Sequence, residues 1–89
     1  MGITFDPAKR DATLEARGLD MADAGEVFAG NTITVEDDRA DYGEPRSITI
    51  GYLEGRMVVL VWTPRGSARR IISMRKANDR EQRIYGPRL

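Results

Sequence analysis

Neither cysteine nor histidine occurs in the 89 residues. Without cysteine there is no disulfide framework and no thiolate metal site, and the absence fits a reducing compartment. Without histidine the chain lacks the usual general base, the commonest metal ligand and the switch that titrates near neutrality. Any catalysis must then run on Arg, Lys, Tyr, hydroxyls and carboxylates. No apolar run approaches the ~20 residues that a membrane span needs, and the N-terminus has no signal-peptide core. The expectation is a soluble cytoplasmic protein with no membrane partner. Its length suits one domain over residues 1–89, which buries only roughly 60–65% of its unfolded surface and so has a thin core.

A net charge is missing as well: fourteen Lys/Arg balance fourteen Asp/Glu. The balance is not local. Residues 1–44 carry eleven acids against four bases, a net of −7, and residues 45–89 carry three acids against ten bases, a net of +7. Such asymmetry points to a polyanion bound by the second half. The competing reading is that the two halves neutralise each other across the fold.

The local patterns predict an α+β chain in the order α-α-β-β-β-β-α, a four-stranded antiparallel sheet packed against helices. Asp6-Pro7 suits a helix start, and Gly18 suits its end. A second short helix follows Asp20 with Ala24, Val27 and Phe28 on one stripe, stopped by Gly30-Asn31. Thr32–Glu36 and Arg46–Tyr52 alternate as strands. Glu54-Gly55 reads as a hairpin turn, Met57–Trp62 as a central strand with Trp62 in the core, and Pro64–Ser67 as another turn. In the last strand, Arg69 to Arg75, strict alternation puts Arg69, Ile71, Ser73 and Arg75 on one face. Asn78–Glu81 has the form of a capping box that opens a final helix, ended by Gly86-Pro87.

Arg46, Arg56 and Arg75 fall at strand ends, where guanidinium groups can converge and grip phosphate through two parallel hydrogen bonds. Arginines there also serve plain solubility. Lys76, Arg70, Arg80 and Arg83 surround them as candidate RNA-binding residues. Glu81 and Tyr85 lie four apart and share a helix face beyond Arg75. Tyr85 could move a proton or anchor the helix, and Glu81 suits a cap better than a base. The acidic stretch Glu36–Asp41 reads as a solvated loop, because loose charge runs rarely make a tight oxygen cage. No metal site and no cofactor are expected.

Several segments together resemble the BrnT family of toxins. They are Phe5-Asp6-Pro7-Ala8-Lys9, Gly18-Leu19, Asp41-Tyr42-Gly43-Glu44-Pro45-Arg46, Ile50-Gly51, Gly55-Arg56, Arg70-Ile71-Ile72-Ser73-Met74-Arg75-Lys76-Ala77, Glu81 and Tyr85. The resemblance implies a type II toxin with a RelE-like fold that cleaves RNA and arrests translation. It also implies a BrnA-like antitoxin partner that alone contacts operator DNA, and it leaves open a homodimer within the complex. The active site would be carried by Arg46, Arg56 and Arg75. Many relatives have histidine where this chain has Arg17.

RNA brings its own nucleophile, the 2′-hydroxyl, so a metal-independent endoribonuclease needs only orientation, charge stabilisation and proton transfer. Arg56 and Arg75 suit the charge, and Glu44, Glu81 or Tyr85 the base. The alternative is a non-catalytic nucleic-acid- or partner-binding module using the same basic face. Both readings require Arg46, Arg56 and Arg75 to converge on one phosphate-sized spot.

Overall fold

The alternating segments in the middle of the chain fold as a meander, seen in a computed structural model that describes residues 2–89. The strands are β1 Gly2–Phe5, β2 Ile33–Glu36, β3 Ser47–Leu53, β4 Arg56–Arg65 and β5 Ala68–Lys76, and the helices are α1 Pro7–Arg17, α2 Ala24–Ala29 and α3 Asp79–Tyr85. The sheet order is β1-β5-β4-β3-β2. β2 through β5 pair antiparallel, as expected, but β1 lies parallel beside β5, from Gly2 opposite Ala68 to Phe5 opposite Ile71. The four-stranded antiparallel expectation is therefore corrected to a mixed five-stranded sheet. Four residues are too few to show a period, and β1 gains its place through Ile3 and Phe5, which pack against the main core.

The local signals at the ends act as anticipated. Asp6 caps α1 by accepting from the Lys9 amide, and Gly18 closes it at φ +67°. Glu54 and Gly55 both adopt positive φ, 50° and 79°, as a two-residue hairpin of this twist demands. β4 runs further than expected, through Pro64. Since β3 begins only at Ser47, opposite Trp62, the end of β4 has a ladder partner on one side only, and a proline there need not break a bond.

The two faces of the sheet are covered unequally. On one side Leu19, Met21, Ala24 and Val27 pack on Leu53, Val58, Leu60, Ile71 and Met74, with Phe28 and Trp62 at the margin. α2 comes so close to β3 that only glycine fits at Gly51, where a Cβ would meet Val27 Cγ1 at 2.8 Å. On the other side α3 and the C-terminus cover a smaller cluster, Ile50, Met57, Val59 and Ala77, and leave the rest of that face open.

β5 departs from strict alternation. Val61 pairs with Ser73 but Trp62 pairs with Ile71, so Ile72 is an extra residue without a ladder partner. The bulge sends Arg69 and Ile71 to the helix-covered side and Ser73 and Arg75 to the open side. The expectation that these four share a face is corrected. Arg69 instead stacks over Phe28 at 4.1 Å and near Trp62 at 5.2 Å.

Candidate active site

The open face holds a cleft of ≈ 260 Å³ floored by Val35, Ile48, Ile50, Val59 and Val61 and rimmed by Arg39, Ser73, Arg75, Glu81 and Tyr85. Period-two alternation on β3 and β4 supplies the aliphatic floor, and the bulge on β5 delivers Ser73 and Arg75 to the same side. α3 brings Glu81 and Tyr85 in together because they are one helical turn apart. Its start is fixed by the capping box: Asn78 accepts from the Glu81 amide at 2.8 Å, and Glu81 accepts from the Asn78 amide at 2.9 Å.

Arg75 and Glu81 form a two-pronged ion pair. Arg75 Nη1 and Nη2 each donate to one Glu81 oxygen at 2.8 Å. The Arg75 hydrogen bonds, followed by that from the Asn78 amide, hold the Glu81 carboxyl down at about 2 against the cost of partial burial. Arg75 is raised above its ordinary value, by Glu81 first, with partial burial and the like charge of Arg39 opposing. Because the pair uses the Nη1/Nη2 end of the guanidinium, the Nε–H and the outer Nη2–H have no protein partner among the described residues. That leaves one two-donor edge for an anion.

Arg39, expected in a solvated acidic loop, lines the cleft from the loop after β2, across β3 and β4 from Arg75 on β5. The Arg39 Nε and Nη2 donate to Asp37 at 2.7 and 2.8 Å. Asp37 is buried, and its carboxyl is held down at about 2, chiefly by that side-chain hydrogen bond. The loop is tied further by the Asp37 amide donating to the Arg46 carbonyl at 2.9 Å and by the Gly43 amide donating to Asp41. The signal for Arg39 was present in principle: an arginine two residues from an aspartate, immediately after a strand. Nothing in the spacing said that the loop folds back over the sheet.

The cleft thus gathers Arg75, Glu81 and Tyr85 of the six residues expected to be catalytic. Arg46 precedes β3 in phase with Ile48 and Ile50, but its guanidinium stacks 3.9 Å over the Tyr42 ring, and its Nε is buried without a partner. Arg56 does not converge. It pairs with Leu53, a residue of the helix-covered core, and its Nη2 reaches the Gly18 carbonyl at 3.5 Å. Convergence of Arg46, Arg56 and Arg75 on one spot is therefore corrected: an odd-numbered offset along β4 turns Arg56 away from Val59 and Val61.

Glu44 also stands apart from the cleft lining and approaches Arg65 at 3.5 Å. Lys76, opposite the core residue Val58, faces the helix-covered side. Arg70, opposite Thr63, shares the open side with Ser73 and Arg75, while Arg80 and Arg83 are exposed on α3. Arg17 donates to the Met74 carbonyl at 2.8 Å and ties α1 to β5. Among the described residues, Arg65–Glu44 is the one ion pair that joins the acidic half to the basic half. The halves do not cancel through direct contact.

Chemically, the cleft offers fixed guanidinium donors, one phenol and one serine hydroxyl over an aliphatic floor. No group of three or more carboxylates among the described residues is arranged to hold a metal. Among the described residues no helix is long and apolar enough to cross a membrane. Among curated proteins none matches the chain. The family described as "Ribonuclease toxin, BrnT, of type II toxin-antitoxin system" matches over residues 5–81, from the end of β1 to Glu81 on the cleft rim. Type II membership implies an antitoxin partner. The chain belongs to the BrnT family of ribonuclease toxins.

Proposed function

We propose that the open cleft is the cleavage centre of a metal-independent endoribonuclease on a RelE-like scaffold, whose action on cytoplasmic RNA arrests translation. The observation that carries the reading is Arg75: a guanidinium fixed by Glu81, with an unused two-donor edge, beside Tyr85 and Ser73 in one cleft. A donor held in place before reaction stabilises charge as it develops, without reorganising.

In this mechanism the 2′-oxygen bonds to phosphorus as the bond to the 5′-oxygen breaks. Arg75 carries the added negative charge on the phosphoryl oxygens. The 2′-hydroxyl proton leaves to water and Tyr85 protonates the departing 5′-oxygen. Glu81 is a positioning residue, because its oxygens already accept from Arg75 and Asn78 and its low pKa makes it a weak base. Glu44 has no part at the cleft. Arg46 steadies the loop through Tyr42, and Arg70, Arg80 and Arg83 lead RNA toward the face. A BrnA-like antitoxin blocks the toxin by covering the cleft, and operator DNA is contacted only through that partner.

The test compares wild type with Arg75→Ala on an RNA oligomer and on DNA of the same sequence, with and without a chelator. Wild type should cut RNA alone, unaffected by the chelator, and Arg75→Ala should lose on the order of 10²–10³ in rate. Cutting of DNA, or an Arg75→Ala protein as active as wild type, would sink the reading. In cells, induction with RNA-end mapping should show the same dependence on Arg75.

A further inference from the structure

We infer that Arg39 is the second phosphate-binding arginine of the cleft, gripping the same phosphodiester as Arg75 from the opposite rim; this rests on the ribonuclease reading above. Three observations converge. Arg39 and Arg75 line one cleft, from a loop and a strand that are far apart in the chain. Each guanidinium is held by a single carboxylate through two hydrogen bonds of 2.7–2.8 Å, Asp37 for one and Glu81 for the other. They also present complementary edges. Asp37 occupies the Nε/Nη2 side of Arg39, and the Nη1/Nη2 end makes no hydrogen bond of good geometry among the described residues, although the Tyr42 hydroxyl lies close to the pair. Glu81 occupies the Nη1/Nη2 end of Arg75, leaving the Nε/Nη2 side.

A phosphodiester has two non-bridging oxygens, and the pentavalent arrangement formed during attack gains charge on them. One arginine can fork onto both oxygens from one direction. Two arginines on opposite rims can bind them from both directions, and the charge is then shared as it grows. The carboxylates fix both cations before substrate arrives. Asp37 is sealed beneath Arg39, with its side chain 0% exposed against 65% for the arginine, so the cation and not the anion faces the cleft. Both cations line the one cleft, and the like charge of Arg39 opposes the proton affinity of Arg75.

Lysine at position 39 would keep the charge but lose the planar fork. On an RNA oligomer in single turnover, Arg39→Gln should lower the rate by about 10²–10³ and Arg39→Lys by at least tenfold. Because both arginines act on one phosphate, the loss in Arg39→Gln combined with Arg75→Lys should fall well short of the product of the single losses. Thermal melting checks the fold of each variant. Asp37→Asn with Arg39→Gln serves as a second variant, since it removes the buried carboxylate that Arg39→Gln would leave without its cation.

Binding is read separately with a fully 2′-O-methylated oligomer, which cannot be cut. The Nε–H resonances of Arg39 and Arg75 should move along one binding curve. If Arg75 alone moves, if Arg39→Gln cuts at the wild-type rate, or if the two losses multiply, the shared grip is wrong. If both resonances move but wild type cuts no RNA, the grip stands and the ribonuclease reading falls.

Discussion

Replacing Glu81 with glutamine isolates what the ion pair at the cleft contributes, since the amide keeps the size of the side chain but not its charge. A carboxyl held at about 2 instead of its ordinary ~4.3 carries roughly 3 kcal/mol of linked stability at neutral pH. Arg75 is 43% exposed in its side chain, so solvent screening reduces the share that survives to about 1–2 kcal/mol. The depressed folded-state value sets the direction. The unfolded chain takes up this proton near 4.3, the folded protein only near 2, so the contribution is complete above about pH 5 and disappears as pH falls toward 2.

Urea unfolding of wild type and Glu81→Gln at a series of pH values would measure this. The wild type should be the more stable by about 1–2 kcal/mol at pH 7. The gap should shrink steadily below pH 5 and nearly close at pH 2, where Glu81 is protonated in the unfolded chain and about half protonated in the folded protein. A gap of constant size down to pH 2 would refute the reasoning, because it would trace the loss to packing or to the helix cap and not to the charge. Asp20 and Asp37, also held at about 2 by Arg10 and Arg39, titrate over the same range in both proteins and cancel from the difference.

Gly51→Ala should cost about 1–3 kcal/mol, because the added methyl meets Val27 Cγ1 at 2.8 Å and Thr32 Cγ2 at 3.1 Å; an unchanged urea midpoint would mean that α2 can lift off β3. Thr49→Val strands the Trp62 indole N–H and the Thr34 hydroxyl, both now 2.8 Å from the Thr49 oxygen, and should cost about 1–3 kcal/mol by the same assay. Arg56→Ala should leave RNA cleavage at the wild-type rate, since Arg56 lies on the other face of the sheet; a loss as large as that of Arg75→Ala would move the active site away from the cleft.

The features readable in the sequence are those decided within a few residues. Asp6, Gly18, Asn78 and Glu81 announce helix ends because capping is a local hydrogen bond, and the Glu54-Gly55 turn because its twist demands positive φ. Glu81 and Tyr85 were readable as a pair because one helical turn sets their relation. What escaped depends on distant partners. Ile3 and Phe5 make a strand only because β5 is there to pair with. Arg56 follows the turn on a residue of the wrong parity for the cleft, and strand ends alone do not reveal parity. Arg39 reaches the site because Asp37 is buried and pulls its loop over the sheet.

Ile72, the unpaired residue in β5, divides that strand into two parts with separate duties. The part before it answers to β1 and the aromatic pair Phe28–Trp62, and the part after it answers to the cleft. Substitutions that repack one part need not disturb the side-chain directions of the other. Removing Ile72 altogether would join the two parts in one phase. Plain alternation would then hold Ile71 inside and Arg75 at the cleft with no bulge, whereas a ladder that took Ile72 in would have to give up one of the two.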